Sequence, residues 1–211
     1  MEEYHKIQTV YKRDPKNNYK TLLEGDFSIP EFGFLANDEW VFTEKVDGTN
    51  IRIMFDGERI AFGGRTNRSQ IPANLLARLN EMFLPQIEVF KNTFSKSGVC
   101  LYGEGHGAKI QKGDVNYSQN QDFVLFDIKI NGFWLKRTDI DEIARNLKID
   151  CVPIIGSGDL ADMILKTRNG FNSMWGDFKA EGIVARPATE LKTQSGHRII
   201  TKIKHIDFKA V

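Results

Sequence analysis

The stretch from Trp40 to Phe62 constrains this chain most. Three runs rich in β-branched and aromatic residues follow one another with only short polar breaks: 40–45, 50–55 and 59–62. Asp56-Gly57, between the second and third, is a hairpin turn signal, because Gly takes positive φ without steric cost. Strands joined by so short a turn pair antiparallel. The break between the first two runs is Glu44-Lys45-Val46-Asp47-Gly48-Thr49-Asn50, which sets a lysine where a strand ends. Such a lysine is either a solvated loop residue, the common case, or a nucleophile, which attacks only as the neutral amine.

Beyond this stretch the pattern moves between strand and helix periods. Gly63-Gly64 leads to Arg65 and Arg68. Leu75, Leu76, Leu79, Met82 and Phe83 recur at helical spacing from Ala73, Pro85 kinks or restarts the helix, and Ile87, Phe90 and Phe94 continue an apolar face. A short buried strand over 99–102 runs into a loop, Gly103-Glu104-Gly105-His106-Gly107. There the carboxylate is either solvated or presented to a ligand that packs on bare backbone. Phe123 to Ile130 begins as a continuous apolar run, as in a strand covered on both faces, and Asn131-Gly132 turns it back through Phe133 to Leu135. Thr138 is a candidate cap for a helix over 139–147, and a second helix spans 160–166, ended by Asn169-Gly170. Glu181 stands at the entrance of a strand reaching Pro187, and the last strand, from Arg198, carries Lys202 and Lys204. Side chains two apart on a strand share a face, so these lysines repel each other unless they meet an anion such as a polyphosphate.

Charge narrows the partners. The formal net charge is +1, so any nucleic-acid contact must come from a local patch. Tyr11 to Lys20 is basic and turn-rich. It suits a solvated loop, or an arm with Tyr11 and Tyr19 available for stacking. Cys100 and Cys151, each beside apolar residues, suit buried thiols in a reducing cytosol better than a disulfide framework. His5, His106, His197 and His205 lack zinc-ligand spacing. The acidic start is not a signal peptide, and no apolar run approaches membrane-spanning length. With 211 residues and no repeat or linker, one domain over 1–211 is expected.

Taken in order, these residues suit a lysine attacking the α-phosphate of a nucleoside triphosphate. Phosphoryl chemistry is mostly positioning and charge neutralisation. Arg65, Lys202 and Lys204 are candidate cations for the triphosphate, and Phe126 and Val184 offer a flat apolar surface for a base. A divalent cation such as Mg²⁺ takes only one or two carboxylates and keeps several waters.

Lys45-Val46-Asp47-Gly48-Thr49-Asn50 resembles the nucleotidyl-lysine motif of the covalent nucleotidyltransferase superfamily, which holds DNA ligases, RNA ligases and mRNA capping enzymes. Gly103-Glu104-Gly105 resembles its third motif. Phe123 to Asp127 resembles the next, whose aromatic stacks on the purine. Glu181-Gly182-Ile183-Val184 and Lys202-Ile203-Lys204 resemble the fourth and fifth, so the likeness spans 40–204. It implies an α+β fold of mostly antiparallel sheets packed with helices, an ATP-grasp-like ligase domain with the nucleotide pocket between sheets. It implies Lys45 as nucleophile, with nucleotide contacts from Glu44, Val46, Arg65, Glu104, Phe126 and Val184. In that set Glu44 meets the adenine amino group and Glu104 the ribose hydroxyls. Glu181 serves Mg²⁺ or Mn²⁺, and Lys202 and Lys204 touch phosphate and share in catalysis.

Asn50 is similar to the RNA ligase branch that seals nicks in duplex RNA and includes the RNA-editing ligases. DNA ligases and capping enzymes usually carry Arg there. The likeness therefore implies an ATP-dependent RNA ligase that joins a 5′-phosphate to a 3′-hydroxyl, with Asn50 serving the sealing step. The family normally adds an OB-fold or helical domain after the fifth motif. A catalytic domain alone is expected here, monomeric and cytoplasmic, in the host if the source is a phage. End recognition then falls to Lys12, Arg13, Lys16, Arg68, Lys109 and Lys112, or to a partner protein. The alternatives are a minimal DNA ligase, a capping-type guanylyltransferase, and a nucleotide-binding module without catalysis.

Overall fold

A computed structural model describes residues 3–95, 97–111 and 117–208. In chain order the elements are β1 (Gln8–Thr9), β2 (Tyr11–Arg13), β3 (Leu22–Phe27), α1 (Pro30–Phe34), β4 (Trp40–Lys45), β5 (Thr49–Phe55) and β6 (Ile60–Gly64). Then come α2 (Ala73–Phe83), α3 (Ile87–Phe94), β7 (Val99–His106), β8 (Asp122–Ile130), β9 (Phe133–Trp134), α4 (Arg137–Asn146) and β10 (Asp150–Cys151). The chain closes with β11 (Ile154–Gly158), α5 (Leu160–Asn169), β12 (Gly182–Pro187) and β13 (Thr201–Lys204). The class is α+β with mostly antiparallel pairing. The exceptions, β1 with β13 and β10 with β8, run parallel.

The chain divides into two compact units. The Lys45 unit comprises residues 6–46 and those from 153 onward. Its sheet has the order β1-β13-β12-β4-β11. Trp40, Phe42, Ile183, Ala185 and Ile203 alternate along its strands and bury one face against Phe32, Leu160 and Met163. Helix α5 begins with a capping box: the Asp159 carboxylate accepts from the Asp162 N–H, and the Asp162 carboxylate accepts from the Asp159 N–H.

The Glu104 unit comprises residues up to 5 and 47–152. Its sheet runs β10-β8-β7-β5-β6, with β9 paired to β8. Ile51, Ile53 and Phe55 of β5 pack with Leu101, Leu125 and the α2 residues Leu75, Leu79 and Phe83. Leu76, by contrast, turns outward. The β5–β6 hairpin forms, with a four-residue connection 56–59. Asp56 Oδ1 accepts from the Glu58 and Arg59 N–H groups at 2.9 and 2.7 Å. Asn131 and Gly132 both hold positive φ, 48° and 89°, and make the two-residue turn to β9.

Several local expectations are corrected. Gly63-Gly64 closes β6, and Gly103 to His106 continues β7 where the sequence reads a loop. The reason is packing: a Cβ on Gly103 would run into the Phe123 ring, and one on Gly105 into Leu75. Their open sides are filled by the chain's own core. Thr138 does not cap α4, which starts at Arg137 after Lys136. Arg137 anchors that first turn, with Nε 2.7 Å from Asp141 Oδ1 and Nη2 donating to the Val152 carbonyl. The last strand begins at Thr201, because Arg198 is drawn aside to Glu190 at 3.1 Å. Both cysteines are free, and burial pushes the Cys151 thiol up to about 12.

Candidate active site

On the Lys45 unit, three strands set one charged face. The registers Gly182↔Lys45 and Gly182↔Lys204 put Lys45, Gly182 and Lys204 in one cross-strand row. Thr43, Val184 and Lys202 form the next row. Gly182 admits no side chain, since a Cβ would strike the Ile203 carbonyl. Glu181 enters just before it. Its Oε2 lies 2.6 Å from Lys45 Nζ, and its Oε1 pairs with Lys204 Nζ. Lys45 Nζ also donates weakly to the Val46 carbonyl at 3.5 Å, while the Val46 side chain is buried. One carboxylate thus spans two lysines, and these side chains are only partly solvated. Val184 is held from behind by Thr43 Oγ1, which donates to its carbonyl at 3.1 Å. Strand alternation adds Arg186, on the same face as Val184. That cation was open to discovery from the period of β12 alone.

Glu44 is placed differently from the expectation. It follows Trp40 and Phe42 onto the opposite face of β4 and is 1% exposed. Oε1 accepts from the Ser173 hydroxyl at 2.6 Å and Oε2 from the Met174 N–H at 2.8 Å. Burial pushes its carboxyl above the ordinary glutamate value, against the pull of these two hydrogen bonds. Its side chain is therefore not brought together with that of Lys45. Ser173, 129 residues away in sequence, gives no local signal.

On the Glu104 unit, the site residues share a face of the sheet opposite the core. Asn50 pairs with Glu104, and Arg52 with Tyr102. Asn50 Oδ1 is buried and accepts no hydrogen bond from any described group. Between Tyr102↔Asp127 and Gly103↔Leu125 the register slips, leaving Phe126 as the extra residue of a bulge. The bulge lets neighbours Phe126 and Asp127 both reach Tyr4. The Phe126 ring meets Tyr4 edge-on at 5.0 Å, and the Tyr4 hydroxyl donates to Asp127 Oδ2 at 2.6 Å. Glu104 and Phe126 remain partly solvated. The Asp47-Gly48 turn is tied down as well: the Asp47 N–H donates to the Tyr117 hydroxyl at 3.3 Å, and Gln111 Nε2 to the Gly48 carbonyl at 3.3 Å.

Arg65 is exposed at the end of β6. Behind it lies Arg52, a buried cation that sequence reasoning passes over. Its Nε donates to the Gly64 carbonyl at 2.8 Å and its Nη2 to Asn67 Oδ1 at 3.0 Å. Of the residues expected to recognise polynucleotide ends, Lys12 and Arg13 are engaged with Asp26 and Asp207. Lys16, Arg68 and Lys109 are exposed, and Lys112 lies outside the described residues.

No cluster of three or more His, Cys, Asp or Glu that could hold a metal occurs among the described residues. Glu181 offers a single hard carboxylate. That fits Mg²⁺ or Mn²⁺ carried mainly by phosphate oxygens and water, and does not fit zinc. Among the described residues no helix is long and apolar enough to cross a membrane.

A family model described as RNA ligase matches residues 38–204. Solved structures of an RNA ligase from Naegleria gruberi have the same fold. The structure with PPi is 20% identical with a TM-score of 0.66, covering 96% of this chain and 57% of that one. A mutant of that ligase with ATP and Mn is 19% identical with a TM-score of 0.69, covering 97% and 56%. Another, with AMP and Mn, is 18% identical with a TM-score of 0.66, covering 96% and 57%. This chain therefore spans little more than half the length of the solved ligases it matches.

Proposed function

This chain belongs to the RNA ligase family, and on that premise we propose that it is an ATP-dependent RNA ligase working through AMP bound to Lys45. The observation that carries the proposal is the row Lys45, Gly182 and Lys204 with Glu181 spanning the two lysines. A strand-end lysine ringed by cations and one carboxylate suits attack on a phosphoanhydride. A bland structural ion pair has no need of a second and third lysine on the same face.

In the first step Lys45 Nζ attacks the α-phosphorus of ATP. The P–N bond forms, the bond to the bridging oxygen of the β-phosphate breaks, and pyrophosphate leaves. Nζ must first lose its proton, and Glu181 Oε2, 2.6 Å away, is an acceptor already hydrogen-bonded to it. Lys202, Lys204 and Arg65 neutralise phosphate charge. Glu181 is also the protein ligand proposed for Mg²⁺ or Mn²⁺, which supplies further neutralisation when bound with ATP. Glu104 takes the ribose hydroxyls, and Phe126 and Val184 offer apolar surface to the base. Val46 contributes through its main chain. Glu44 supports the site by pinning residues 173–174 behind β4. AMP then passes to a 5′-phosphate as the P–N bond breaks. Finally a 3′-hydroxyl attacks that phosphate and AMP leaves, the step in which Asn50 takes part. We read residues 1–211 as one adenylylation domain, with a nicked duplex as the preferred RNA.

The test uses ATP labelled at the α-phosphate. With Mg²⁺ or Mn²⁺, label should remain on the denatured protein, come off in acid, and be absent from Lys45→Ala. No label with either metal would end the proposal. Nicked duplexes carrying RNA or DNA at the 3′-hydroxyl side then decide the polynucleotide.

A further inference from the structure

Residues 3–5 belong to the Glu104 unit and cross the face of its sheet opposite the core. Each of the three is tied down there. The Glu3 carboxylate accepts from the Asn67 N–H at 3.0 Å. The Tyr4 hydroxyl donates to Asp127 Oδ2 at 2.6 Å, the length of a charge-assisted bond. The His5 ring meets that of Trp134 at 5.7 Å and 70°. Tyr4 is 8% exposed, and Asp127 is fully buried.

The Tyr4 ring stands among others. Its centroid lies 5.0 Å from that of Phe126, 5.1 Å from Tyr102 and 5.6 Å from Trp134. The contacts with Phe126 and Trp134 are edge-on, at 69° and 83°. Such a contact sets the tilt of a ring without stacking parallel to it. Phe126 is the residue of the site that most depends on one. The register with β7 passes from Leu125 to Asp127, so Phe126 stands outside the ladder in which opposite side chains brace each other. Tyr4 braces it instead. Its hydroxyl is held by the very next residue, Asp127, so the Tyr4 ring cannot swing away from Phe126 without giving up that bond. The Phe126 ring stays partly solvated and keeps surface for a ligand.

We propose that Tyr4 is a positioning residue for the base of ATP, acting by fixing the tilt of Phe126. This rests on the ATP site proposed above and gives residue 4 a share in its affinity for the base. Two variants separate ring from hydroxyl. Tyr4→Phe keeps the ring and loses the bond to Asp127. Tyr4→Leu loses both and keeps an apolar side chain. Both remove the donor to Asp127 Oδ2, so both should lower Tm.

Binding is read by calorimetry without divalent metal, with ATP and inorganic tripolyphosphate as probes. Tyr4→Leu should weaken ATP by about tenfold, the upper scale of one aromatic contact, and leave tripolyphosphate at its wild-type affinity. Tyr4→Phe should hold ATP near wild type although its Tm falls. Loss of both probes in step with Tm would make Tyr4 merely structural and overturn the inference. Wild-type ATP affinity in Tyr4→Leu would overturn it as well, and equal losses of ATP in the two variants would overturn the ring as the route. If the wild-type chain binds ATP yet takes no label on Lys45 with metal, the ligase proposal fails while the calorimetry still decides the role of Tyr4.

Discussion

The face around Lys45 and the face around Glu104 hold their polar groups by different means. Around Lys45 charge answers charge, with Glu181 shared by Lys45 and Lys204. Around Glu104 backbone geometry does the placing. A bulge swings Phe126 onto the face, and core side chains fill the far side of Gly103 and Gly105. There Asn50 Oδ1 is left buried without a donor among the described residues, at a cost of about 1–3 kcal/mol. A buried atom of that kind calls for an explanation, and the proposed part of Asn50 in the joining step supplies one. The contrast is between a face whose ion pairs must open for work and a face shaped by a bulge and by the packing of its glycines.

Glu181→Gln should break the first face with the largest effect. It leaves Lys45 and Lys204, on either side of Gly182 in one cross-strand row, without their shared anion. Formation of labelled Lys45 should slow by about 100-fold, the scale of losing one electrostatic partner at a reacting group. Stability should fall as well, because the two side chains are only 18% and 12% exposed and the variant leaves lysine charge without its carboxylate. Single-turnover labelling beside thermal unfolding separates the two effects. A wild-type labelling rate would remove the carboxylate from the chemistry.

Asn50→Ala tests the second face and should act the other way round. The lost acceptor is buried and makes no hydrogen bond to a described group, so unfolding stability should hold or rise, by up to about 1–3 kcal/mol. Joining of a pre-adenylylated nick should nevertheless fall by about tenfold or more, and by a larger factor than labelling of Lys45. A marked loss of stability with joining intact would make Asn50 a structural residue and erase the contrast.

What the sequence made legible follows the range of the forces involved. The Trp40–Phe62 strands and the Asn131-Gly132 turn rest on alternation and on φ preferences, which are local. The lysine row is nearly as plain, since strand period alone puts Lys202 and Lys204 on one face. Glycines are harder. Nothing near Gly103 tells that Phe123 fills its open side, so a strand reads as a loop. The bulge at Phe126 and the bond from Ser173 to Glu44 depend on partners far along the chain. Glu44 is instructive in another way. Counting from Trp40 and Phe42 puts it on the buried face, whereas the motif likeness puts it on the base. Arg52 carries no motif at all, and only its burial marks it.

Glu44 also offers the smallest and most selective test, because it lies directly behind the charged face without belonging to it. Burial raises its carboxyl above the ordinary glutamate value. Between that ordinary value and the raised one, the folded chain binds the proton more tightly than the unfolded chain. Stability contributed by this group is therefore greatest at low pH and declines as pH rises through the window. Glu44→Gln removes the titration but keeps the contacts. Its carbonyl can accept from the Met174 N–H, and its amide can donate to the Ser173 hydroxyl once that rotates. Thermal unfolding followed upward from the ordinary glutamate range should show the wild-type chain losing a few degrees relative to the variant. Parallel curves for Glu44→Gln and wild type would mean that the bonds from Ser173 and Met174 fully offset the burial of Glu44, and the distinction between the two sides of β4 would narrow.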